Sequence, residues 1–179
     1  QIYDRLEPLL GCFERRSPSR EDIDAAADGP AADVILFGLG RYGQRIAQGL
    51  RSEGISVIGV DFDPAALAEW RRAGFQGRFG DATDPEFVAH LPLSGTRAVI
   101  SAVPRTDSPL TVSDPQLALL HGLRSAGFGG TIALAASGRA SIPEGPEFAG
   151  VEWLTPFDDA AAYAVERVSA IVRPSREAG

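Results

Sequence analysis

Lysine and methionine are absent from the 179-residue chain, and all 17 basic residues are arginine. Without lysine there is no Schiff-base amine and no Tyr-x-x-x-Lys pair of the kind short-chain dehydrogenases use. A chain with no methionine, initiator included, is expected to be a piece of a longer one. Cys12 is the single cysteine, which excludes a disulfide framework and a thiolate metal cluster and suits a reducing compartment. The only histidines, His90 and His121, are far apart and lack the spacing of a metal pair, so no metal is expected. There is no G-x-S-x-G elbow. No apolar run approaches the roughly 18 residues of a membrane span, and Gln1 to Leu6 lacks the basic-then-apolar pattern of a secretory leader. A net charge of −7 argues against a basic face for nucleic acid or anionic lipid.

The chain is 44% hydrophobic, enough for one α/β domain with a full core and some extra segments. Its organising stretch is Asp33-Val-Ile-Leu-Phe-Gly-Leu-Gly-Arg-Tyr-Gly43. Four apolar residues, Val34 to Phe37, run into a G-x-G-x-x-G turn, the pattern of a buried parallel strand breaking into a helix. Gly38 permits the tight turn, Gly40 leaves the backbone open to a phosphate, and Gly43 lets the helix pack close to the strand. The free N–H groups of the first helical turn and the helix dipole both favour an anion there. An amphipathic segment follows, with Ile46, Ala47 and Leu50 on one face. A second strand, Ile55 to Val60, then ends at Asp61. An acid at that tip, about 20 residues past the glycines, is placed to bind a ribose diol, and its charge would repel a 2′-phosphate.

Residues 1–16 are expected to form a short helix with Leu6, Leu9, Leu10 and Phe13 on one side, kinked at Pro8. Residues 17–32 read as a linker, with Ser17-Pro18-Ser19, the acids Glu21, Asp22 and Asp24, and Gly29-Pro30. We therefore expect a connector over 1–31, one domain over 32–173 and a tail over 174–179. Within the domain, Asp63-Pro64, Asp84-Pro85 and Asp114-Pro115 each place an N-cap oxygen before a proline at the first helical position. The helices they start carry Leu67 and Trp70, then Phe87 and Val88, then Leu117, Leu120 and Leu123. Strands are expected at Phe75–Phe79, Ala98–Val103, Thr131–Ala135 and Val151–Leu154. A last helix is expected from about Asp158 to Val172, with a seam of Ala161, Val165, Val168 and Val172. Ser137–Gly150 reads as loop. Strands alternating with helices at this length predict a Rossmann-like doubly wound parallel sheet with helices on both faces.

In such a sheet the ligand lies across the carboxyl ends of the strands. Four loops converge there. The glycine turn brings Gly38, Leu39, Gly40 and Gly43, with Arg41 and Tyr42 expected to be exposed beyond it. The second loop is Asp61-Phe62-Asp63, the third is Gly80-Asp81-Ala82-Thr83, and the fourth is Val103-Pro104-Arg105-Thr106. Asp63 has a competing duty as a helix cap. Asp81 and Thr83 flank an adenine edge or cap a turn. Arg41 reaches a phosphate or is solvated, and Arg105 is the other candidate cation. No residues are assigned to catalysis.

The runs Val34–Gln44, Val57–Pro64, Phe79–Thr83 and Ala98–Val103 resemble the regulator-of-potassium-conductance domain (RCK, also called KTN or TrkA-N). The likeness is strongest to the cytoplasmic domain of Kef-type monovalent cation:proton antiporters and covers about residues 32–135. Gly80-Asp81-Ala82-Thr83 is its most telling element. The resemblance implies a regulatory module rather than an enzyme, one that binds an adenine nucleotide (AMP, ADP or ATP) or NAD(H). It further implies a homodimer formed through a helix, and an upstream transmembrane transport domain in an inner (plasma) membrane protein, with this domain in the cytoplasm. By position, Gly38, Gly40 and Gly43 hold the phosphate, Asp61 holds the ribose, and Asp81, Ala82 and Thr83 lie by the adenine. The loop Pro104–Ser113 does not match a glutathione-responsive pattern, and the tail after Ser137 matches poorly. Two other readings are a soluble NAD-dependent oxidoreductase fragment and a pairing module that binds nothing. Turnover with NADH would mark the first, and no thermal shift with any nucleotide the second.

Overall fold

The structure, a computed structural model, describes residues 31–104 and 114–172. Residues 1–30 of the expected connector over 1–31, the residues Arg105 and Thr106, residue 173 and the expected tail over 174–179 lie outside the described residues.

Six short strands form one sheet: β1 (Val34–Phe37), β2 (Val57–Asp61), β3 (Gln76–Phe79), β4 (Ala98–Ser101), β5 (Thr131–Ala135) and β6 (Val151–Leu154). Every neighbouring pair is parallel, and the order is β3-β2-β1-β4-β5-β6. The order reverses between β1 and β4, where Val34 pairs with Val57 on one side and Ala98 on the other. β1 has no polar residue and is buried throughout, as a central strand covered on both faces must be.

Alternation along the strands feeds two cores. Ile35 and Phe37 join Val60, Val99, Ile132 and Leu134 in one, while Val34 and Leu36 face Ala47, Leu67 and Trp70 in the other. Helices α1 (Arg41–Ser52) and α2 (Pro64–Arg72) cover the second core. Helices α3 (Pro85–Ala89) and α4 (Pro115–Ser125) cover the first, with Val88, Leu119, Leu120 and Leu123 fully buried. Trp70 is the largest residue in the fold to be fully enclosed. It stacks on Phe75 at 4.5 Å, lies over the bare backbones of Gly59 and Gly77, and donates its indole N–H to Gln76 at 2.7 Å.

Three expected Asp-Pro starts are present. Asp63, Asp84 and Asp114 each sit in extended backbone and accept from N–H groups of the turn they open. The stretch Ser137–Gly150 contains only two short 3₁₀ turns, at Arg139–Ser141 and Pro146–Phe148, and Phe148 plugs the first core. Two expectations need correction. In α4, Leu120 and Leu123 are fully buried as expected, but Leu119 joins them while Leu117 is only half covered against the first core. The last helix, α5 (Pro156–Val172), has no buried residue, so Val165, Val168 and Val172 form no seam against this fold and stay exposed.

Candidate functional site

The glycine turn connects β1 to α1 at the strand-order reversal. Gly38 has φ +86, a left-handed conformation that costs glycine little and other residues much. A Cβ there would also come within 2.6 Å of a Val103 methyl. Gly43 has no room for a side chain, because its first carbon would overlap the Gly38 carbonyl. Gly40 is different. It is extended (φ −68, ψ −171), and a Cβ on it would meet nothing within 4 Å. The space above Gly40 is open.

That open space faces the start of α1. Gly40 is the N-cap, and no side chain caps this helix. Helices α2, α3 and α4, by contrast, all carry an aspartate cap. The first-turn N–H groups of α1, on Arg41, Tyr42 and Gly43, therefore lack a side-chain acceptor and carry the positive end of the helix dipole. An acceptor-rich anion such as a phosphate fits both features.

Asp61, at the end of β2, is half-buried beside the turn. Its Oδ2 accepts the Leu39 N–H at 2.8 Å, and its Oδ1 accepts the Asp63 N–H at 2.9 Å. A carboxylate offers roughly four acceptor positions, so two remain for a diol. The carboxylate is thus a clamp between the tip of β2 and the glycine turn. Sequence reasoning missed this second job, because the bond spans 22 residues and its partner is a backbone group.

The remaining candidates separate by burial. The Leu39 side chain is fully buried, leaving only backbone at the turn. Arg41 is exposed. Tyr42 is not the exposed residue expected. It is half-buried against the second core, and its hydroxyl pKa is raised by burial and, less, by the charge of Asp159. Phe62 is 70% exposed at the tip of β2, a ring with no cover. Val103 is half-exposed and flanks Gly38. Asp63 caps α2 by accepting from Ala65 at 2.8 Å. Asp81 closes a turn, its Oδ1 accepting from both the N–H and the hydroxyl of Thr83 at 2.8 Å. Ala82 packs on the first core. His90 and His121 are exposed, and His90 Nδ1 lies 2.7 Å from the Glu86 carbonyl. Among the described residues no cluster of three or more His, Cys, Asp or Glu could hold a metal.

Across the reversal, the carboxyl ends of β4 and β5 are bridged by Gln116, which sequence reasoning also missed. Its Nε2 donates to the Val103 carbonyl at 2.9 Å and the Ala135 carbonyl at 2.6 Å. A glutamine one residue past a helix-starting proline gives no signal of such a bridge.

Sheet order, glycine turn and β2-terminal acid define a Rossmann-like doubly wound α/β domain. Within it, residues 34–114 match the family model of the TrkA-N domain, so the RCK/TrkA-N resemblance holds over that stretch. The chain is 32% identical over 105 residues to the glutathione-regulated potassium-efflux system protein KefC of Escherichia fergusonii. The match covers 58% of this chain and only 17% of that protein, so the chain spans a small part of its curated relatives. Among solved structures, the TrkA-N domain of the Escherichia coli inner membrane protein ybaL superposes with a TM-score of 0.63 at 16% identity. That match covers 78% of this chain and 99% of the other. The Kef CTD of Shewanella denitrificans in AMP-bound form superposes with a TM-score of 0.59 at 18% identity, over 79% and 82% of the two chains. At these identities the structural likeness carries the fold. No described helix is long and apolar enough to cross a membrane.

Proposed function

We propose that this chain is a regulatory domain of a potassium or other monovalent cation:proton antiporter, controlled by an adenine nucleotide or NAD(H) bound at the glycine turn. The observation that carries the reading is the uncapped start of α1 beneath the open space at Gly40, with the Asp61 carboxylate alongside. The first-turn amides take the phosphate, Asp61 takes the ribose hydroxyls, and Phe62, Ala82 and Thr83 border the base. The AMP-bound Kef neighbour supports the ligand class, and the KefC relative supports the transport role. The domain is regulatory rather than catalytic, lies in the cytoplasm, and follows a membrane domain through the connector over residues 1–31.

It works as a homodimer through α5. Phe157, Tyr163, Val165, Val168 and Ile171 are all more than half exposed on that helix. A nucleotide then shifts transport only so far as it binds the two states of the transporter unequally.

A melting assay tests the reading. AMP or NADH at 100 times its dissociation constant adds about 2.7 kcal/mol, a rise of roughly 5–10 °C for a domain of this size. No shift with AMP, ADP, ATP or NADH refutes it.

A further inference from the structure

The peptide units on either side of Leu39 are pinned by two different side chains. The Leu39 N–H donates to Asp61 at 2.8 Å, and the Leu39 carbonyl accepts from Gln44 Nε2 at 3.1 Å. Gln44 is half-buried one turn into α1, where its own N–H donates to the Gly40 carbonyl at 2.9 Å. Its side chain meets a carbonyl, which fixes the amide nitrogen as the end facing the turn. Among the described residues, Gln44 is the only partner of the Leu39 carbonyl.

Peptide geometry turns that bond into a direction. No peptide bond among the described residues is cis. In a planar trans unit the C=O of one residue and the N–H of the next point opposite ways. With the Leu39 carbonyl drawn toward Gln44, the Gly40 N–H is turned away from the body of α1. Gly40 is exposed, and a Cβ on it would meet nothing within 4 Å. No acceptor among the described residues takes its N–H. Glycine permits either orientation of this unit. Without Gln44 the unit is free to flip and to aim a carbonyl, itself an acceptor, where the amide now points.

We infer that Gln44 is a positioning residue for anion binding at the glycine turn: it holds the Leu39–Gly40 peptide with the N–H outward, so that Gly40 adds its amide to those of the first turn of α1. The inference rests on the proposed nucleotide site and names the side chain that sets its anion-binding geometry. Gln44 acts through the backbone and touches no ligand.

The test is amide NMR spectroscopy of the full chain with AMP as the probe. In the unmodified chain, saturation with AMP is expected to move the Gly40 amide proton downfield, as a charge-assisted hydrogen bond does. In Gln44→Leu, AMP affinity should fall at least about tenfold. At saturation the Gly40 signal should then stay near its unliganded position while those of Arg41 and Tyr42 still move. Gln44→Glu supplies a second readout. Its carboxylate cannot donate to the Leu39 carbonyl, but its protonated form can. Its AMP affinity relative to the unmodified chain should therefore recover as the introduced carboxyl is protonated, which a merely structural role does not produce. A Gly40 amide that AMP leaves unmoved in the unmodified chain, while Arg41 and Tyr42 respond, overturns the inference without any variant. So does a Gln44→Leu chain that binds AMP normally, one that binds weakly yet shows the full Gly40 displacement, or a Gln44→Glu deficit that ignores pH. If AMP moves no amide of the turn, it is the proposed nucleotide site itself that falls.

Discussion

Asp61 clamps the glycine turn with the same carboxylate that takes the ribose in the proposed site. Asp61→Asn keeps the size but turns one acceptor into a donor facing the N–H of either Leu39 or Asp63. We expect a loss of about 1–3 kcal/mol of stability together with weakened nucleotide binding, read by denaturant melts and titration. Gly43→Ala drives a methyl into the Gly38 carbonyl and is expected to cost about 1–3 kcal/mol or more. A pH effect belongs to Asp33. Its pKa is lowered, first by the Ser56 hydroxyl, which donates at 2.6 Å, and then by the Ser56 N–H at 3.0 Å. A depressed carboxylate pKa adds stability that is present above the unfolded value of 3.8 and lost as pH falls through the folded value. Ser56→Ala should therefore lower the melting temperature at pH 7 and lose that effect at an acid pH where Asp33 is protonated in the folded chain. An equal deficit at both pH values would contradict this assignment. The outline of the turn was legible because its rules are local: a left-handed glycine, a bare backbone, a close helix. The Asp61–Leu39 bond and the Gln116 bridge were not, since each joins residues that only the folded sheet brings together.

Elements were legible wherever a residue type has one physical use. The Asp-Pro pairs announce helix starts because the carboxylate caps and the proline gives up no needed N–H. Asp84→Ala is expected to cost about 0.5–2 kcal/mol, checked by chemical denaturation. β5 and β6 appear at the positions their apolar runs predict. Helix faces were harder. Leu117, Leu119 and Leu120 differ only in which way the helix is rotated, and the packing against Val88 and Leu134 decides in favour of Leu119 and Leu120. The seam read on α5 is real as a pattern, yet it meets nothing within this fold. A stripe in the sequence says that a face is to be covered; it cannot say by which chain. Under the proposed pairing, Val165→Arg with Val168→Glu should shift the domain from dimer to monomer in sedimentation while leaving its melting under dilute conditions little changed.

At the scale of the whole molecule, the fold joins two halves with different capacities. The β1–β2–β3 half offers amides for an anion and a carboxylate for a diol; the carboxyl ends of β4 and β5 are tied together by Gln116. The proposed sensing role requires that ligand binding at this crevice be felt at α5. The start of α5 is close at hand: Asp158 accepts the Arg139 N–H at 2.7 Å after β5, and Asp159 accepts the Thr155 hydroxyl at 3.0 Å and bears on Tyr42 in α1. The doubly wound sheet followed from punctuation and apolar runs, whereas these contacts did not, since they depend on how the folded sheet and its helices sit together.

Gly40→Val tests the central claim most directly. The backbone at Gly40 suits any residue, and the first side-chain carbon meets no protein atom, so the fold should tolerate the change at a cost of about 1 kcal/mol or less. The added side chain would occupy the space assigned to the phosphate. Calorimetric titration with AMP should show at least a tenfold loss of affinity in a variant that melts close to the parent chain. AMP binding undiminished by valine at this position would contradict the account.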